Sequence, residues 1–167
     1  MQVPSTYYLP ILLLLSFGFQ SCTPERIDPT TFSSASLLPW NEQIMEAAVA
    51  EDGLLTLKGV RSAAIMHVAI HNALNSIVPE YHTYYFETEQ QDADPLAAAN
   101  QAAYEVATRQ FPDLQAQWDE LLDNALDLIE NSDQKTKGIE LGIDAAEQAI
   151  TSRNDDSWDK VTTTPLL

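Results

Sequence analysis

From Trp40 onward, apolar positions recur every three or four residues, which is the spacing of one helix face. Five helices are predicted. The first covers about Trp40 to Ala50 and ends near Asp52-Gly53. The second starts near Leu54, with Thr56 close to its beginning, and stops before Pro79. Its segment from Arg61 to Asn75 is small-residue and nearly all apolar. A helix that is apolar all round is predicted to be buried on every side. The third opens with Asp94 as N-cap and Pro95 at the first helical position, and runs to about Gln110. The fourth follows Pro112-Asp113, with Leu114, Trp118, Leu121, Leu122, Ala125 and Ile129 as its stripe. The fifth starts near Asp133, with Ile139, Gly142, Ile143, Ala146 and Ile150 inward and Glu140, Asp144 and Glu147 outward. Val78 to Ala93 lacks this periodicity and contains the aromatic cluster Tyr81 to Phe86. It reads as a loop packed on the helices. The expected fold class is all-α, a bundle of about five helices.

Before Trp40 the pattern changes. Tyr7 to Phe19 is mostly apolar around Ile11 to Leu15, too short to span a bilayer and suited to an export signal. Cys22, the only cysteine, follows directly. The arrangement resembles a bacterial lipoprotein signal, in which cleavage leaves a lipidated cysteine at the new N-terminus. No Lys or Arg precedes the apolar run, and Phe19 and Gln20 are large for residues beside such a cleavage point. An ordinary signal peptide with an unmodified cysteine is the alternative. The expected layout is a signal over 1–21, a Pro-, Ser- and Thr-rich tether over 22–39, a helical domain over 40–153 and an irregular tail over 154–167. An exported protein, lipid-anchored through Cys22 in the periplasm or outer membrane, follows from it.

Charge narrows the partners. With 25 acidic and 8 basic residues the net charge is −17, which argues against nucleic acid and against a polybasic grip on anionic lipid. The acids are spread along helical patterns as a solvated surface.

Few residues offer chemistry. His67 and His71 share a helix face, a spacing that metal sites use. The zinc-protease pattern needs Glu after the first His, and Val68 stands there. His82 or an acid could supply a third ligand through folding. The alternative is two core histidines bonded to backbone or to Asn72 and Asn75. Those asparagines, on a buried helix, are expected to anchor loops or neighbouring helices. Arg61 is expected to pair with a carboxylate such as Glu46 or Asp156, or to bind an anion. Asp92-Ala-Asp94 lacks the glycine and closing glutamate of a calcium loop and reads as a helix cap. Asp155-Asp156 reads as a solvated loop pair.

Several stretches, taken in order, resemble one family. They are Trp40-Asn41; RSAAIMHVAIHNALN over Arg61 to Asn75; Ile77, Pro79 and Tyr81; Asp94-Pro-Leu-Ala-Ala-Ala99 with Ala102-Ala103; and Phe111-Pro112. Gly138-Ile-Glu-Leu-Gly142, Ala145-Ala146 and Arg153-Asn-Asp-Asp156 complete the series. The order is similar to the N-terminal helical half of bacterial vanadium-dependent haloperoxidase-like proteins, in the superfamily shared with type 2 phosphatidic acid phosphatases. The resemblance implies relatives that oxidise halide with peroxide or hydrolyse phosphate esters, with vanadate as the cofactor of the peroxidases. Their site is carried by the motifs KxxxxxxRP, PSGH and SRxxxxxHxxxD. Lys and Arg hold the oxyanion, one His ligates vanadium or attacks phosphorus, and the other is acid or base. None of these motifs occurs in the 167 residues. After Ser152-Arg153 the first histidine position is Asp159, and His82 is the last histidine. No catalytic residue and no cofactor is therefore assigned to this chain. Its expected partners are a missing catalytic half or a second copy, because half a helical core leaves an apolar face exposed. A complete lipid-anchored binding or scaffold bundle, with Tyr81 to Phe86 as its contact surface, is the second reading. A small metal-dependent hydrolase using His67, His71 and a carboxylate is the third.

Overall fold

The computed structural model describes residues 27–28, 31–54 and 56–158. The expected signal and Cys22 lie outside these residues. The described chain is all-α and contains no strand. Its helices are α1 (Leu38–Asp52), α2 (Leu57–Ile77), α3 (Pro95–Gln110), α4 (Gln115–Leu126) and α5 (Asp133–Thr151).

Local chemistry sets the boundaries. Thr56 caps α2 by accepting from the Gly59 N–H, Asp94 caps α3 from Ala97, and Ser132 caps α5 from Lys135. Gly53, at φ 81°, ends α1 and donates its N–H to the Val49 carbonyl. Residues Ser34–Leu37, inside the segment read as tether, are already helical. There Ser33 caps a 3-10 turn, Ser34–Leu37, that feeds α1, and Leu37 packs on the core. That turn carries no helical repeat of its own, so its docking was not visible in the pattern.

α2, α3 and α5 pack on one another; α1 lies on α2, and α4 folds back on α3. Trp40 and Trp118 are fully buried and stacked, with centroids 6.4 Å apart, and they knit α1 and α4 into the core. Both indole N–H groups are satisfied. Trp40 donates to Asn100 Oδ1 at 2.9 Å and Trp118 to the Phe111 carbonyl at 2.9 Å. Asn100 in turn donates to Ser36 Oγ and the Leu96 carbonyl, so this buried amide fixes the entry of the chain.

α5 turns inward much of the face expected: Gly142 and Ala146 are buried, Ile150 packs on the core, and Glu140, Asp144 and Glu147 are exposed. Gly138, Leu141, Gly142, Ala145, Ala146 and Ala149 are buried, while Ile143 is exposed. Close approach decides this. A Cβ at Gly138 would sit 2.5 Å from the Asp94 carbonyl, and one at Gly142 would sit 2.5 Å from that of Ala98. Backbone-to-backbone packing of this kind gains more dispersion contact than a single isoleucine could provide.

Candidate functional site

The inner face of α2 buries Ser62, Ile65, Met66, Ala69, Asn72, Ala73 and Ser76. Within Arg61–Asn75 the residues Ala64 and His67 are exposed, which corrects the expectation of burial on every side. Leu57 is 71% exposed, Val60 63% exposed, and Ala64 and His67 are exposed too. These four follow the i, i+3, i+7, i+10 spacing of one helical row. α2 contains no acidic residue, in a chain that has 25.

At the C-terminal end of this helix, polar side chains hold the loop that reaches from Val78 to Ala93. Asn72 is fully buried, accepts from the Tyr84 N–H at 2.8 Å and donates to the Tyr84 carbonyl at 3.1 Å. Asn75 accepts from the Tyr81 N–H at 3.0 Å. The Ser76 carbonyl accepts from Gln90. Both asparagines thus anchor a loop, as their place on a core helix predicts: a buried amide that satisfies backbone groups fixes the segment those groups belong to.

His71 joins the same network. Its Nε2 lies 2.9 Å from the His82 carbonyl, which can only accept, so Nε2 carries the proton. The Asn75 amide nitrogen lies near both ring nitrogens, 3.2 Å from Nδ1 and 3.0 Å from Nε2. With Nε2 donating to His82, the lone pair open to Asn75 is that of Nδ1. His67 lies on the exposed face, with Nε2 3.1 Å from Asn41 Oδ1, so it is not a core histidine. The spacing that suggested a metal pair therefore serves two separate hydrogen bonds. His82 meets His71 through its backbone carbonyl rather than its ring. Among the described residues, no group of three or more His, Cys, Asp or Glu side chains converges as a metal would require.

The anchored loop buries Phe86 and leaves Tyr81, Tyr84 and Tyr85 exposed. Tyr85 has φ 58°, a left-handed conformation that a bulky residue adopts only when its neighbours impose it. Tyr84 and Tyr81 flank the His71 ring, with centroids at 5.3 Å and 6.4 Å. Below Tyr81 opens a cleft of about 340 Å³ lined by His71, Leu74, Val78, Leu37, Phe32 and Leu96 among others. Among the described residues, no Lys or Arg lines it. Both ring nitrogens of His71 are engaged and no Lys or Arg among the described residues lines its cleft, so this cleft does not fit vanadate, which needs a free imidazole nitrogen and a cationic cradle.

Arg61 finds one of its two expected carboxylates. Its Nε and Nη2 donate to Asp156 Oδ2 at 3.1 and 3.0 Å, and Nη2 also reaches the Arg153 carbonyl. The Asp156 half of the Asp155-Asp156 pair is thus a structural counter-ion. Partial desolvation raises its carboxyl pKa, but the Trp158 N–H, the Arg61 hydrogen bonds and the field of Arg61 and Arg153 outweigh this and hold it below the ordinary value of 3.8. Asp92, at the other end of the bundle, is bonded to Lys137.

Comparison of the chain with protein-family models, with curated proteins and with solved structures finds no match. Among the described residues, no helix is long and apolar enough to cross a membrane.

Proposed function

We propose that this chain is the N-terminal helical part of a vanadium-dependent haloperoxidase-like protein, exported and lipid-anchored through Cys22, and that it contributes no catalytic group of its own. On this reading, halide oxidation by peroxide or phosphate-ester hydrolysis depends on residues bearing KxxxxxxRP, PSGH and SRxxxxxHxxxD. These would be supplied by another segment or subunit, and vanadate would be held there. The supporting observation is the outer face of α2. A central helix with Leu57 and Val60 well exposed and no acid anywhere along it is built to be covered. Solvated helices of this chain look different, since α5 lines its outer side with Glu140, Asp144 and Glu147.

The test is recovery of the native protein from its own membranes with an antibody to Tyr81–Phe86. Peptides carrying the three motifs, in the same polypeptide or a co-purifying one, are expected, together with vanadate-dependent bromide oxidation or phosphatase activity. A species of this chain alone, monomeric in sedimentation and unfolding cooperatively, would overturn the reading.

A second reading draws on the tyrosine loop. Three exposed tyrosines above an apolar cleft, held by buried asparagines, form a contact surface of the kind that binding modules present. On that reading the bundle is complete, and Tyr81→Ala with Tyr84→Ala abolishes partner capture without lowering the unfolding midpoint.

A further inference from the structure

Basic residues are scarce in this chain, yet three of its eight converge on one cleft. Arg61 arrives from α2, Arg109 from the last turn of α3, and Arg153 from the segment after α5. They line an open cleft of about 240 Å³ together with Gln110, Asp156 and Trp158. Arg61 is committed: Asp156 takes two of its hydrogen bonds, and the Trp158 ring lies 5.5 Å from its guanidinium carbon. The guanidinium groups of Arg109 and Arg153 have no hydrogen-bond or ion-pair partner among the described residues. Among the described residues, three arginines therefore line this cleft with a single carboxylate, Asp156. The chain carries a net charge of −17, so the local excess of positive charge opposes the sign of the whole molecule.

We infer that this cleft binds a small dianionic oxyanion, through the forked N–H donors of Arg109 and Arg153. Guanidinium groups match phosphoryl and carboxylate oxygens two at a time, which an ammonium group does not. Arg61 cannot serve as a third arm while Asp156 holds it; its role is to position the 153–158 segment so that Arg153 and Trp158 wall the cleft. Gln110 adds a neutral polar group on the α3 side, although its Oε1 already accepts from Ser62 at 3.2 Å. The excess charge favours a dianion over a monoanion, and the cleft volume limits the ligand to a small molecule. The inference stands apart from the function proposed above: a chain that never meets the motif-bearing residues still binds the anion.

Calorimetric titration of the full chain at low ionic strength tests it, with inorganic phosphate and succinate as the probes. Saturable one-to-one binding of at least one probe is expected. Phosphate alone indicates a tetrahedral site, succinate alone indicates two separated carboxylate positions, and both support the inference. Arg109→Gln and Arg153→Gln should each weaken binding about tenfold, the scale of a lost charge-assisted hydrogen bond. Lys137→Gln, which removes the same charge beside Asp92, should leave binding unchanged. Circular dichroism of each variant checks that the helices persist, as expected for surface arginines. No saturable binding of either probe, or equal weakening by Lys137→Gln, overturns the inference.

Discussion

The seam between α3 and α5 and the outer row of α2 are built from opposite materials. The seam uses glycine and alanine, and brings two backbones so close that an added methyl group at Gly142 would strike the Ala98 carbonyl. The outer row uses leucine and valine, which touch little of the described chain. Large apolar residues left outside and small ones placed inside show that residue size alone does not locate the core. Contact does, because dispersion and water exclusion depend on how many atoms meet.

The largest break in this comparison is expected from Gly142→Val. Its Cβ would lie 2.5 Å from the Ala98 carbonyl oxygen and 2.7 Å from Gln101 Cβ, so α5 must move away. A loss of about 3 kcal/mol in urea unfolding is expected, at the upper end for overpacking. An unchanged midpoint would mean that the seam is loose. Asn72→Ala comes next. It leaves the N–H and carbonyl of Tyr84 without their partner and should cost about 2 kcal/mol, with faster amide exchange confined to the tyrosine loop. Exchange that rises evenly along the chain would instead make Asn72 a general core residue.

A smaller, local effect is expected from pH. The Asp156 carboxyl titrates below its usual 3.8, so docking of the 153–158 segment is present above that value. It should be lost as pH falls through the lowered pKa. Trp158 fluorescence should report the release while helical circular dichroism holds, and Asp156→Asn should remove the transition. The smallest effect on stability belongs to Leu57→Lys with Val60→Lys, expected to shift unfolding by less than about 0.5 kcal/mol because both sites are exposed. The same pair should abolish association through α2, read by sedimentation. A large destabilisation there would place those side chains in the core after all.

Much of the fold was legible because its signals are local. The Asp94-Pro95 start, the Thr56 cap and the arrest before Pro79 each depend on a few neighbouring atoms. The all-α class followed from periodicity. The loop-anchoring role of Asn72 and Asn75 followed from the cost of burying an amide unbonded. Asp156 was one of the two named partners of Arg61, and the structure brings it there. Several other features escaped. The 3-10 turn at Ser34–Leu37 has too few residues to show a period. On α5 the inward reading of Gly142, Ala146 and Ile150 held, but Ile143 is exposed and Gly138, part of the repeat Gly138-Ile-Glu-Leu-Gly142 whose paired glycines permit close approach, was not marked. The arginine cleft joins residues from three separate elements, and no spacing along the chain announces it.

The sequence by itself determined where helices start and stop, the charge of their solvated sides and which polar residues had to find partners. Backbone hydrogen bonds, caps and side-chain desolvation act over a few residues and leave their mark in the local pattern. Tertiary structure alone decided which face of α2 stayed open, that Gly138 rather than Ile143 lies in the α5 seam, that His67 and His71 bond apart, and that Arg61, Arg109 and Arg153 meet. Those outcomes depend on how closely two backbones can approach and on which distant chain segment arrives first at a shared surface, and neither is encoded in any single helix.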